Sequence, residues 1–561
     1  MKFDDSRFAE FGLIAPSARC PVPQGPQTLA EILDAAVRHS PDSEALVGRH
    51  ARLSYAELDR MVDAAAAGFI AAGIAPLDRI AATGPNGPDL VIAFLACMRI
   101  GAIWVGMNAA LAPPEKSALL RASQARLLLA DAATIAGVAA LGSAPATVVM
   151  NADGGPDAWS DLLRTHNGAP RQTIAIDPWA PAIIAYTSGT TGEPKGVVHS
   201  QHNFITVCAN AIDRGQRGLS GRRAAGLPMT IPNVMLRGPL LSLYTGGTYV
   251  CVDAAHAHGI ADWIDREKIE SIAIVATVLH DLLFDPTVDP NQLRTLAYPI
   301  IGGGSLPERL QEAYQERFGK NVQFTYGLTE APTVVTETDP DVPIRRGASG
   351  KPLPHIDLAI LDEAGSPLPA GGEGEICLRA VRAGPWAGVY TPALGYWMQP
   401  EKSAALCHDG WMHTGDIGSL DGDGNLFVLD RRGDLIVRGG GNVYPADVER
   451  VLVALDAVTT AAVIGVPDDR LGERVAAVVE LAPGVPATAA TIINLRDACT
   501  EELAKYKVPS DWFVVDEMPR NPMRKIVKPR LAAMIQEGVL RSIAVPKSVR
   551  AGEGSQKEGG R

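Results

Sequence analysis

Short apolar runs recur through the first half of the chain at 79–82, 103–105, 126–129, 147–150, 182–186, 249–252 and 271–275, with stretches of helical spacing between them. Runs of that length are buried strands, and their alternation with helices requires a largely parallel sheet joined by crossovers. Two helical stretches, 27–40 and 54–73, stand before the series. The second opens on Ser54 with Glu57 three residues later, a capping box. From Ile356 the pattern changes to short strands separated by glycine turns (DEAGSPLPAGGEGEICLR), which predicts a smaller, more antiparallel subdomain. A glycine among charged residues at 430–434 marks a second boundary. Beyond it the spacing predicts a compact α+β unit, with helices at 445–455 and 489–503 and strands at 461–465 and 475–481. The tail after Val545 has the Gly, Ser, Lys and Glu content of a disordered segment.

With 63 acidic and 51 basic residues the net charge is −12, which argues against a protein built to grip nucleic-acid backbone. A hydrophobic share of 47% rules out a mainly disordered chain. The 7 cysteines are scattered and form no CxxC pair, so neither a disulfide framework nor a zinc ribbon is expected, and a cytoplasmic setting fits best. The N-terminal residues lack the apolar core of a signal peptide. The apolar stretch 90–98 is broken by Arg99 and is too short to span a bilayer.

The densest chemical signal is Tyr186-Thr-Ser-Gly-Thr-Thr-Gly-Glu-Pro-Lys-Gly196, directly after an apolar strand. Glycines permit close approach, so amides and the hydroxyls of Thr187, Ser188, Thr190 and Thr191, spaced by Gly189 and Gly192, can surround phosphate oxygens. Lys195 then offsets their charge. The spacing does not fit a Walker A loop. Other candidates are weaker. His199 and His202 have no ligand partner at metal spacing, so packing is their expected role. Asp421-Gly-Asp-Gly-Asn425 begins like a calcium loop but continues with Leu426 and reaches Arg432 at position twelve, so it reads as a turn. No GxSxG elbow is present, against a serine hydrolase.

The phosphate-type loop resembles that of the adenylate-forming superfamily: acyl-CoA synthetases, peptide-synthetase adenylation domains and firefly luciferase. Further matches follow in family order, covering Leu53 to Lys525. Leu53-Ser-Tyr-Ala-Glu-Leu58 resembles the opening motif. Gly302-Gly-Gly-Ser305 and Tyr326-Gly-Leu-Thr-Glu330 resemble the adenine and metal region. Gly395-Tyr-Trp397, Gly410-Trp411 and Thr414-Gly-Asp416 resemble the ribose region, Asp430-Arg431 the hinge, and Asn521-Pro-Met-Arg-Lys-Ile526 the C-terminal lysine motif. The resemblance implies that Gly303, Gly304, Ser305, Thr325 and Tyr326 surround the adenine, and that Asp416 and Arg431 hold the ribose. It gives Thr329 a phosphate contact and places Glu330, with Thr190, on Mg²⁺. Lys525 and Lys195 become the catalytic cations. Each residue alone has an ordinary reading: a packing tyrosine, a solvated glutamate, a turn aspartate, a surface ion pair, a basic face.

By the same resemblance the fold is α/β. A large N-terminal domain of stacked α/β sheets with a β-rich subdomain is expected over 1–431, and a small mobile α+β lid over 432–535. A partly disordered extension follows over 536–561. The implied reaction is ATP-dependent: a small carboxylic acid gives acyl-AMP and pyrophosphate, and a thiol then displaces AMP. Coenzyme A is the expected acceptor, because Val437-Arg-Gly-Gly-Gly-Asn-Val-Tyr-Pro445 resembles the segment lining the pantetheine tunnel, with Arg438, Gly439 and Gly440 along it. No nucleic acid and no membrane span are expected, and a homodimer is left open. A carrier-protein-loading enzyme, a P-loop-type ATPase and a nucleotide-binding pseudo-enzyme are the rivals.

Three departures limit the transfer. Thr230 and Ile231 stand where the family's acyl-pocket motif often has an aromatic and a histidine; Gly433 stands at the hinge where Lys or Asp is usual; Arg524 precedes Lys525 where Gly is usual. Thr230, Ile231, Asn233, Thr277, Gly302 and Gly327 are the expected acyl pocket. They suggest a pocket with no charged anchor, hence a neutral apolar or hydroxylated acid.

Overall fold

A computed structural model describes residues 3–142, 145–151, 156–187, 195–215, 221–302, 306–342, 345–431, 434, 436–438, 441–468, 472–521 and 526–543. The chain divides into two compact units, Met1–Val428 and Leu429–Arg561. The division falls inside the strand Leu426–Arg431, next to the expected boundary.

The first unit holds three sheets. A seven-stranded sheet runs Gly395–Tyr396, Lys195–Ser200, Pro181–Thr187, Ile103–Gly106, Arg79–Ala82, Leu127–Ala130, Ala146–Val149. Its inner strands pair in parallel, as the alternating pattern requires, and it ends on the antiparallel hairpin of Pro181–Thr187 and Lys195–Ser200. A nine-stranded sheet runs Lys351–Pro352, Ala331–Glu337, Gln323–Leu328, Tyr298–Gly302, Ser271–Ile274, Arg222–Ala225, Thr248–Val250, Glu44–Val47, Arg52–Ser54. The third, Ile356–Leu361, Gly374–Ala380, Trp411–Leu420 and Cys407–His408 with Leu426–Arg431 beside it, is the antiparallel subdomain read from the glycine turns.

The largest core draws on both large sheets, with Ile80 and Ile183 from one and Leu46 and Tyr249 from the other. The helix Pro88–Arg99 lies within it, buried at every position from Leu90 onward. Arg99 ends that apolar run without breaking the core, because Asp63 accepts from it at 2.6 Å and Asp59 accepts from its other Nη. Both partners lie on the capped helix Tyr55–Ala71. The stretch expected as one helix over 27–40 is instead a 3₁₀ turn, Leu29–Glu31, and a short helix, Asp34–His39. Thr28 and Glu31 close a capping box around the turn, so the chain starts its helix twice.

Three histidines of this unit are buried. Burial lowers His199 to about 4, and burial reinforced by Arg214 and His202 lowers His355 to about 3; burial also lowers His202. Unfolded histidines protonate near 6.5, so below that pH the unfolded chain binds more protons than the folded one and stability falls. The expected result is a urea midpoint that drops between pH 6.5 and 5, above the ordinary range of exposed carboxylates. His355→Gln should give a shallower slope, each histidine contributing up to about 1.4 kcal/mol per pH unit. Identical slopes for the two proteins contradict this account.

The second unit is one sheet, Gly441–Val443, Ile436–Arg438, Gly472–Leu481, Val458–Asp468, with Asp511–Val515 parallel to Gly472–Leu481. The helices Pro445–Val453 and Ala489–Glu502 fall at their expected places. A further helix, Lys528–Gln536, buries Leu531, and Leu540 packs on the same cluster. The Ile543 amide donates to Trp512 O at 2.8 Å. The first part of the extension expected to be partly disordered is thus packed, while 544–561 lie outside the described residues.

Candidate active site

The hairpin of the seven-stranded sheet pairs Thr187 with Lys195, so residues 188–194 connect two strand ends already held in register. Ser188, Gly189, Thr190, Thr191 and Gly192 lie outside the described residues, as does the side chain of Thr187. Lys195 is placed by its strand, with Nζ 5.8 Å from the centre of the Tyr396 ring. Tyr396 belongs to the edge strand Gly395–Tyr396, which pairs with the lysine-bearing strand at Val197 and Val198.

The Tyr396 hydroxyl donates to Glu330 Oε1 at 2.9 Å, and the Ala393 amide donates to Glu330 O at 2.8 Å. Burial and the nearby Glu330 raise the Tyr396 phenol far above its ordinary value, so it stays a donor. Glu330 is therefore oriented through both its carboxylate and its backbone. Sequence reading placed Tyr396 only within the ribose-region motif and gave it no partner; its glutamate lies 66 residues away.

Thr325, Tyr326 and Gly327 lie on Gln323–Leu328, whose partner in the sheet is Ala331–Glu337. The Tyr326 hydroxyl donates to Asp416 Oδ2 at 2.7 Å, which brings the expected adenine and ribose residues together. Asp416 is buried on Trp411–Leu420, where the ladder with Gly374–Ala380 slips between Glu375 and Cys377 and lets 414–416 bulge. The bulge is tied down: Thr414 Oγ1 donates to Ile376 O at 2.7 Å, and the Gly415 amide, at φ +72°, donates to Glu375 Oε1 at 3.0 Å. The other Glu375 oxygen lies 3.1 Å from His413 Nδ1. Together with Cys377 these two form, among the described residues, a group with metal-ligand spacing. Burial, with Glu375, pushes the Cys377 thiol up to about 12, so it is a neutral thiol here. Both Glu375 oxygens are already engaged, and the group acts as the clamp on the bulge.

On the expected acyl side, Thr230 is buried, Ile231 caps the helix Pro232–Met235, and Asn233 lies on it. The helix widens into a π turn, Leu236–Leu240, containing Pro239, which has no amide to close a regular turn. Gly302 ends Tyr298–Gly302, where a Cβ would come within 2.7 Å of Thr325 Oγ1. A Cβ on Gly327 would come within 2.1 Å of Thr333 O. Thr333 holds φ +66°, a left-handed conformation costly for a β-branched residue. Thr277 is exposed on Ala276–Phe284.

Gly303, Gly304, Ser305, Gly433, Gly439, Gly440 and Lys525 lie outside the described residues, and so does the Arg431 side chain. Arg438 ends Ile436–Arg438 and donates to Tyr506 O at 2.7 Å and Val508 O at 3.2 Å within its own unit.

Comparison with known proteins bears on this geometry. The model of the AMP-binding enzyme family matches residues 33–388, and that of the AMP-binding enzyme C-terminal domain matches 447–525. The chain is 31% identical over 506 residues to an indoleacetate–CoA ligase of Aromatoleum aromaticum, covering 89% of this chain and 96% of that protein. It is 31% identical over 514 residues to a fatty acid–[acyl-carrier-protein] ligase of Streptomyces coeruleorubidus, covering 90% and 96%. The anthranilate CoA ligase AuaEII, solved with anthranoyl-AMP, superposes with a TM-score of 0.83 at 26% identity, covering 91% of this chain and 98% of that one. On these matches over most of its length, the chain belongs to the AMP-binding enzyme family and is an AMP-forming acid–thiol ligase of the adenylate-forming superfamily.

Proposed function

We propose that this ligase joins a carboxylic acid to coenzyme A in two half-reactions at one site, in the cytoplasm. The substrate carboxylate attacks the α-phosphate of ATP and pyrophosphate leaves; the CoA sulfur then attacks the acyl carbonyl and AMP leaves. The observation that carries the reading is the pair of linked contacts, Lys195 to Tyr396 to Glu330 and Tyr326 to Asp416. They gather a cation, a carboxylate and a ribose-type acceptor from three sheets. Free thiols at all seven cysteines suit a reducing compartment.

In this reading Asp416, held by the clamped bulge, accepts from the ribose hydroxyls, with Arg431 as second contact, and Tyr326 stacks on the adenine beside Thr325. Thr187, Ser188, Thr190, Thr191 and Lys195 receive the phosphates, with Thr329. Lys525 neutralises the meeting of carboxylate and α-phosphate. Glu330 offers a hard oxygen oriented by Tyr396, and Mg²⁺ needs few protein carboxylates when phosphates and water complete its shell, so the donor set fits. When bound, the ion neutralises phosphate charge. Arg438, Gly439 and Gly440 line the CoA path, and Gly433 is the hinge about which the lid turns between half-reactions.

Asp416→Ala leaves ribose hydroxyls unpaired, a loss of about 1–3 kcal/mol. The expected result is an ATP KM raised roughly 5- to 150-fold with a cooperatively folded protein retained. An unaltered KM rejects the ribose assignment. Loading of a carrier protein is the second reading, supported by the carrier-protein ligase among the relatives. Acids assayed for AMP release with free CoA or with a phosphopantetheinylated carrier decide between them, and acyl transfer to the carrier alone rejects CoA.

A further inference from the structure

The acyl side holds more polarity than its sequence indicated. Among the described residues, four buried polar atoms there have no hydrogen-bond partner: Thr230 Oγ1, Asn233 Oδ1, Arg237 Nε and Thr333 Oγ1. Asn233 and Arg237 are four residues apart on one helical run, and Thr333 lies on the strand whose carbonyl covers Gly327. Such atoms carry the desolvation cost of an unmade bond, and native interiors keep few of them. Four such atoms on the expected acyl residues and their neighbours leave bonds that a partner arriving with the substrate can make.

Arg237 also borders a small cavity. A cavity of about 10 Å³, lined among others by Cys208, Arg214, Leu236, Arg237, Val334 and Leu353, has room for about one water-sized atom. Two of its lining residues are near the acyl residues in sequence: Val334 follows Thr333, and Arg237 lies one turn beyond Asn233. Arg237 Nη2 donates to Glu337 Oε1 at 2.6 Å, and Arg214 Nη1 to Glu337 Oε2 at 2.5 Å. Burial tends to raise the Glu337 carboxyl, but Arg237 and then Arg214 hold it below the usual range, so it is ionised. One carboxylate thus stands between two guanidiniums, and a third, Arg223, donates to Arg237 O at 3.3 Å. An ion pair built for packing accounts for Nη2 and leaves the buried Nε and the three other atoms without a role. Arg237, which was not among the expected acyl residues, sits in a leucine-rich run 100 residues from its carboxylate.

We infer, granted the acid-activating role proposed above, that the acid this enzyme activates carries an accepting oxygen at the end away from its reacting carboxylate, received by Arg237. A ketone or a second carboxylate would supply it, with polar groups along the chain meeting Asn233 and the two threonines. Such a site discriminates through the donor left unpaired when the oxygen is missing.

The test offers linear acids of six, eight and ten carbons and phenylpropanoate. Each is presented plain, with a ketone at the far end, and with a second carboxylate there. AMP release and acyl-CoA are both measured. At least one oxygenated form should exceed its plain partner by about 10-fold or more in kcat/KM, and the ketone and carboxylate arms identify which oxygen is used. Arg237→Met should remove that preference by lowering the oxygenated acid alone, with the KM for ATP unmoved. Arg237→Lys, which keeps a cation for Glu337 but lacks Nε, and Asn233→Leu, which leaves the ion pair intact, should lower the same acid if the methionine variant does not melt cooperatively. Preference for the plain acids, or a preference that survives in Arg237→Met and Arg237→Lys, overturns the inference while leaving the ligase reading standing. No AMP from any acid overturns both.

Discussion

Lys525→Ala is expected to slow acyl-adenylate formation from acid and ATP by ~10²–10³, the usual loss when one preorganised charge is taken from a reacting centre. Two anions must meet in that step, and no neutral side chain can relieve their repulsion. Thioester formation from ready-made acyl-adenylate and CoA should survive far better, because the attacking sulfur and the acyl carbonyl do not need that cation. Pyrophosphate exchange measures the first step and CoA-thioester yield from supplied adenylate the second. Equal damage to both removes the moving lid from the mechanism.

Gly327→Ala is expected to be nearly as severe, for a steric reason. The added carbon would stand 2.1 Å from Thr333 O, 2.8 Å from Thr333 C and 3.0 Å from Val334 Cα, all backbone, so no side chain can swing away. The strands Gln323–Leu328 and Ala331–Glu337 would have to part, carrying Tyr326 away from Asp416 and Val334 away from the cavity. A fall of ~10²-fold in kcat/KM for the acid should accompany a raised KM for ATP, since misplacement by about an ångström costs that much. If the variant keeps wild-type values for both, the close approach is not part of the site.

Residues whose chemistry is local were legible without a structure. The Thr414-Gly-Asp416 segment and the strand–helix alternation each announce themselves within a dozen residues, because tight backbone changes and crossovers demand particular neighbours. What stayed hidden was long-range. Tyr396 finds Glu330 across 66 residues, Arg237 finds Glu337 across 100, and His413 finds Glu375 across 38. Nothing in the spacing of either partner signals the other. The break in the stretch 27–40 was also missed, although Thr28 and Glu31 carry the capping signature, because periodicity alone does not show that a helix starts twice.

The short segment 393–397 has a mechanical consequence. Its Ala393 amide and Tyr396 hydroxyl grasp Glu330 beside the nine-stranded sheet, while Gly395, Tyr396 and the Trp397 amide are stitched to the lysine-bearing strand of the seven-stranded sheet. Five residues thus serve as a gauge block between two separately built sheets. Drift of one sheet against the other is transmitted through that spacer rather than appearing as a gap between carboxylate and cation. The spacing of the two charges is therefore a property of one short stretch of chain, and a single-residue insertion there should detune the site more than a longer insertion in either crossover.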